Sequence, residues 1–194
     1  SPSSTEVTSA IEVPQGSEVR YGGTTLAIMD PDGKLWTIAA VGDLQFNYVS
    51  QPPVLELGEG AHVAVTREGV VIAVSPEHKK LYRIQNLAAA PEERDFPAVG
   101  EFQLAAVGDK AVVFDQSTNE VLNDTGSVFP LGEKTGLRLQ QTSTESSYAV
   151  VATADSLLKV DLGSGTVTEV EAGIDSVGGV EEVSAPVFLD GCAH

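Results

Sequence analysis

The chain has 194 residues, 42% of them apolar and 20% charged, with 28 acidic against 11 basic side chains and a formal net charge of −17 at pH 7. That length suits one large all-β domain or two small ones, and it is enough to bury a core without staples. Such a charge excludes a phosphate-neutralising nucleic-acid surface, which needs clustered Lys and Arg, and it is repelled by anionic membrane surfaces. Solubility explains the acidic excess, and attraction to cations or to a basic partner is the sharper reading.

The first residues, Ser1 to Ala10, are rich in Ser and Thr and carry no targeting signal. We read residues 1–15 as a flexible or strand-exchanging N-terminal segment and 16–194 as a single domain. From Thr24 onward, short apolar runs alternate with turn residues. Thr24 to Met29 leads through Asp30-Pro31-Asp32-Gly33 into Lys34 to Ala40. Pro fixes one φ angle of such a turn and Gly permits a positive one, so a hairpin is expected. The unit recurs at His62 to Thr66, Val70 to Ser75 and Lys80 to Gln85, with Pro76 to Lys79 as a turn. It recurs again at Phe102 to Val107, Ala111 to Asp115 and Glu120 to Asn123, and then at Leu137 to Gln141, Tyr148 to Ala152, Leu157 to Asp161 and Thr166 to Val170. A last run, Ala185 to Leu189, begins a further unit.

Trp36 and Tyr82 hold the same place in successive units, and the starts Val70, Ala111 and Tyr148 recur at a similar distance. A period of roughly 40 to 50 residues with about four strands per unit is the signature of propeller blades. The fold class expected is therefore all-β, with propeller-like repeats of four-stranded antiparallel sheets in four or five blades, as a ring or a partial ring. Approximate blades are 16–57, 58–100, 101–135, 136–183 and a partial 184–194. A pair of β-sandwiches is the alternative, since it also has short strands and frequent turns. Only Leu87 to Ala90 looks helical, and Pro91 interrupts it, so Asn86 to Gly100 is expected to be an inter-blade loop. Pro52-Pro53 and Gly173 to Gly179 mark other long connections.

Chemistry is sparse. The three histidines, His62, His78 and His194, start a strand, sit in a turn and end the chain, and no nucleophile elbow accompanies them. His62 would line a central channel if its strand were innermost. Asp30-x-Asp32-Gly33 resembles the opening of a calcium loop, but Lys34 and Leu35 stand where a ligand and a Gly are needed. Asp109, Asp115, Asp155 and Asp161 fall at strand ends and turns, where Asp bonds the backbone. Gly58-x-Gly60 and Gly163-x-Gly165 lack the rest of a phosphate-binding loop, and Glu92-Glu93 and Glu181-Glu182 read as solvated charge. His78-Lys79-Lys80 with Arg83 is the one basic cluster, on a hairpin, and Asn123-Asp124-Thr125 matches a glycosylation sequon. Cys192 is the single cysteine, a small apolar residue or half of a disulfide with a partner elsewhere. No catalytic, cofactor-binding or metal residue is assigned, no cofactor is expected, and the innermost strands are expected to carry small and apolar side chains.

The run Gly16 to Asp30, followed by Gly33-Lys34-Leu35-Trp36, resembles a blade in large actinobacterial surface proteins, and Val187 to His194 looks like another element of that region. Those proteins carry a membrane anchor, a propeller-like extracellular region and tandem fibronectin type III or immunoglobulin-like modules. The resemblance implies a place outside the cytoplasm at the cell surface, with the anchor and the other modules in parts of the parent protein beyond this fragment, and an adhesive or scaffolding role. It carries over no functional residues. The expected function is a non-catalytic binding or scaffold domain, not an enzyme, with a protein or cell-wall partner, no nucleic acid, and a homodimer through open sheet edges as a further prospect. A catalytic or cofactor-binding propeller, of quinoprotein or lyase type, is the alternative.

Overall fold

The computed structural model describes residues 11–41, 46–140, 147–171, 188–189 and 192–193. Strands account for all of the regular structure among them. They form four antiparallel sheets of four strands, each a simple meander, and one two-stranded pair. The first sheet holds β1 (Glu18–Gly22), β2 (Thr25–Met29), β3 (Lys34–Ala39) and β4 (Leu55–Glu56). The second holds β5 (His62–Val65), β6 (Val71–Ser75), β7 (Lys80–Ile84) and β8 (Glu92–Asp95). The third holds β9 (Phe102–Val107), β10 (Lys110–Asp115), β11 (Glu120–Asn123) and β12 (Val128–Pro130). The fourth holds β13 (Arg138–Gln140), β14 (Tyr148–Ala152), β15 (Ser156–Asp161) and β16 (Val167–Glu171). The pair is β17 (Phe188–Leu189) with β18 (Cys192–Ala193).

The second and third strands of each sheet are made by residues that fit a pleated, buried surface. In β6, Val71 and Ala73 face the first sheet while Ile72 and Val74 face the third. In β10, Ala111 and Val113 face the second sheet while Val112 and Phe114 face the fourth. Period-two alternation normally separates a core face from a wet one. Here both faces are apolar because each middle sheet is packed on both sides. Three cores result, one in each gap between successive sheets. First strands meet one another across these gaps, β1 with β5, β5 with β9 and β9 with β13. This is the face-to-face stacking of propeller blades, with the first strand of each sheet innermost and the fourth outermost. Sequential meanders packed in this way are not the Greek-key sheets of a sandwich.

One device closes the turn between the second and third strands in all four sheets. A short side-chain oxygen at the end of the second strand accepts a backbone N–H from the turn: Asp30 Oδ1 from Lys34 at 2.8 Å, Ser75 Oγ from His78 at 3.0 Å, Asp115 Oδ1 from Ser117 at 2.8 Å and Thr153 Oγ1 from Ser156 at 2.9 Å. The chain passes through the left-handed region in three of them, at Gly33 (φ 79°), Lys79 (φ 53°) and Asn119 (φ 57°). The Asp30 segment is thus a turn held by its own aspartate, as the misplaced Lys34 and Leu35 indicated.

Two expectations need correction. Asn86 to Gly100 is not wholly a loop, because Glu92–Asp95 pairs with β7 from Lys80↔Asp95 to Arg83↔Glu92. All four of its side chains are exposed, so it has no apolar face by which to announce a strand. The Glu92-Glu93 pair therefore sits on this edge strand, with Glu93 2.6 Å from Lys80. Leu87 to Ala90 is a turn, not a helix: Asn86 accepts the N–H of Ala88 on its side chain and that of Ala89 on its carbonyl. The segment 1–15 lies outside the described residues up to position 10, and Glu12 makes a parallel bridge to Asn47. Gly173 to Gly179, Glu181-Glu182, His194 and most of 184–194 also lie outside the described residues.

Candidate functional site

The innermost strands border a cleft of about 530 Å³. Every sheet contributes to it: Arg20 and Tyr21 from β1, Ala64 and Val65 from β5, Gln103 to Ala106 from β9, and Leu139 and Gln140 from β13. Thr66 and Arg67, in the turn after β5, complete one wall. Close packing at the floor depends on Gly22, where a Cβ would fall 2.1 Å from the Thr66 carbonyl oxygen.

Three polar groups define the chemistry. Gln103 Oε1 accepts the Leu139 N–H at 2.7 Å, a side chain bridging two innermost strands that share no ladder. Gln140 is 2% exposed and its Nε2 donates to the Arg138 carbonyl at 3.1 Å. Its Oε1 is buried and has no hydrogen-bond partner among the described residues. An unmet acceptor of this kind costs roughly 1 to 3 kcal/mol. Arg20 lies 2.6 Å from Glu18 and keeps half of its side chain exposed. Among the described residues the lining holds two arginines and no carboxylate, in a chain with far more acids than bases. The cleft is thus an amide-bearing concavity with guanidinium groups in its lining.

The expectation of small, apolar innermost strands holds at Ala64, Ala105 and Ala106 and fails at Arg20, Gln103 and Gln140. Each polar residue looks like an ordinary solvated strand position in the sequence. What would have singled them out is aligning the four units, which places them all in first strands.

His62 begins an innermost strand but borders a second, smaller cleft with Glu18 and Asp30. Its Nδ1 is 3.4 Å from Glu18 Oε2 and its ring meets Phe102 edge-on at 4.8 Å. Among the described residues, no group of three His, Cys, Asp or Glu side chains is placed to hold a metal ion. His78 is exposed in its turn, with Nδ1 3.0 Å from the Tyr82 hydroxyl. Burial pushes the Tyr82 phenol up, with Glu93 adding to it. The basic cluster is spent on neighbours: Lys80 bonds Glu93, and Arg83 donates to the Asp109 carbonyl at 2.6 Å. Asn123 is no glycan acceptor in the folded chain, because its Oδ1 accepts the N–H groups of Thr125 and Ser127 and its Nδ2 reaches the Leu162 carbonyl.

These features define a propeller-like domain of stacked four-stranded sheets with a cleft on its innermost strands. No family model matches the sequence, and no curated protein matches it. Among solved structures, the chain is similar to virginiamycin B lyase from Staphylococcus aureus, with 14% identity over 85% of this chain and 52% of that one at a TM-score of 0.43. It is also similar to a streptogramin B lyase, with 10% identity over 77% of this chain and 48% of that one at a TM-score of 0.45. The chain spans about half the length of the solved structures it matches. Both are enzymes by name, and on that finding the expectation that this chain is not an enzyme is withdrawn.

Proposed function

We propose that the chain is a ligand-binding propeller-like domain whose site is the cleft between the four first strands, and that it belongs to the extracellular part of a larger surface protein. What supports the first part is that Gln140, whose Oε1 has no hydrogen-bond partner among the described residues, and Arg20 line one concavity bordered by all four first strands. Cation and amide together suit a small organic anion with a hydroxyl or amide donor, the carboxylate meeting Arg20 and the donor meeting Gln140. What supports the second part is the resemblance of Gly16 to Trp36 to blades of surface proteins.

A second reading, a lyase-type catalytic propeller, draws on Tyr21 and the same cleft. Tyr21 lines the cleft together with Arg20 and Arg67, so the same concavity holds a proton-carrying phenol and guanidinium groups. One experiment separates the two. A panel of small hydroxy- and amido-carboxylates is screened by thermal shift, and each ligand that raises Tm is recovered and weighed by mass spectrometry. Binding with the ligand recovered intact supports a recognition site, and a recovered product of changed mass supports the lyase. Ligands that stabilise wild type and the Arg20→Ala, Gln140→Leu double variant equally would contradict both.

A further inference from the structure

Gln103 lies on β9, the innermost strand of the third sheet, and lines the cleft. Across the ladder it is paired with Phe114 of β10. Directly opposed residues of an antiparallel pair share a face, and Phe114 packs into the core between the third and fourth sheets. Gln103 is therefore turned toward the fourth sheet as well, where its Oε1 accepts the Leu139 N–H at 2.7 Å.

That one bond fixes which end of the amide is which. A backbone N–H can only donate, so the atom facing Leu139 is the carbonyl oxygen and the other end is the NH2 group. Among the described residues, this bond is the one that the Gln103 side chain makes. Among those same residues, the buried side-chain polar atoms without a partner are Arg83 Nε and Gln140 Oε1. The Gln103 NH2 group is thus both unpartnered and accessible. It is a donor held in orientation by the neighbouring sheet, in a side chain that lines the cleft.

We infer that Gln103 is the specificity-determining residue of the cleft, donating from Nε2 to a carbonyl oxygen of the ligand, and that the ligand class is the N-acylated amino acids. This rests on the reading of the cleft as an anion site and narrows it. Hydroxy- and amido-carboxylates both bring a carboxylate and a donor, and the amide alone adds a carbonyl oxygen for Gln103. An amine in that place sets a donor against a donor, which leaves both unmet.

The test is isothermal titration calorimetry of the full chain with N-acetylglycine and with N-ethylglycine, in which a methylene replaces the carbonyl. Wild type is expected to bind N-acetylglycine about tenfold more tightly, the worth of one well-made hydrogen bond. Gln103→Glu keeps an oxygen for the Leu139 N–H and turns the free donor into an acceptor, so the preference is expected to reverse. Gln103→Met removes the donor without adding charge and is expected to bind the two compounds alike. Circular dichroism and Tm establish which variants are folded. No binding of N-acetylglycine to wild type, equal affinity for the two compounds, or a preference that survives in the folded variants would overturn the inference. The reading of the cleft fails on a different result, N-acetylglycine bound equally by wild type and by the Arg20→Ala, Gln140→Leu double variant, and the inference then falls with it.

Discussion

At the scale of single residues, the turns carry the fold's most specific demands. Gly33 combines φ 79° with a Cβ position 2.1 Å from the Gly58 carbonyl oxygen, so any side chain there is both strained and obstructed. Gly33→Ala is expected to cost about 2 kcal/mol in denaturant unfolding. Lys79 occupies the same left-handed region with a side chain, and Lys79→Gly is expected to be more stable by about 0.5 to 1 kcal/mol. Asp161 offers a titration test. Its carboxylate accepts the N–H groups of Ser164 at 2.7 Å and Gly163 at 2.9 Å, which hold its pKa below the usual carboxylate value. A lowered folded-state pKa stabilises the fold above the unfolded value and is lost as pH falls through the folded one. Wild type is therefore expected to lose Tm below about pH 4, and Asp161→Asn to show a flatter acid limb in the same melts.

Elements differ in how plainly the sequence displays them. β2, β6, β7, β10 and β14 are legible because their apolar residues are packed from both sides or alternate cleanly, and Asp30 and Asp115 mark where the hairpins after β2 and β10 turn. β8 was not, since a strand with no apolar face has nothing to distinguish it from a polar loop; its existence is set by the ladder to β7. The cleft was illegible for a related reason. Arg20, Gln103 and Gln140 come to line one cleft only when the sheets stack, and no local spacing encodes which strand of a meander is innermost. In the cores, Phe114→Ala removes the largest fully buried side chain, between the third and fourth sheets, and is expected to cost about 3 to 5 kcal/mol by chemical denaturation.

For the whole molecule, stability is distributed among three inter-sheet cores and not gathered in one. Stacked repeats hold each unit by its neighbours, so the middle sheets are the most constrained. Amides of β6 and β10 are expected to exchange slowest, and those of β1 and β16 fastest, in hydrogen-exchange mass spectrometry. Uniform protection across all four sheets would mean that the repeats unfold only as one. The net charge of −17 frames the function at this scale. Against so acidic a surface, two arginines in the lining of one cleft are a concentration of the chain's scarce basic side chains.

The central claim is that the four first strands together form a binding site. Its most direct test is a titration of the isotopically labelled chain with a carboxylate ligand from the thermal screen, following backbone and side-chain amide resonances by NMR. Saturable shifts are expected at Gln103, Gln140, Tyr21 and Thr66, one or more from each of the four sheets. Shifts confined to the groove around Trp36 and Tyr48, or scattered over the surface without saturation, would contradict it.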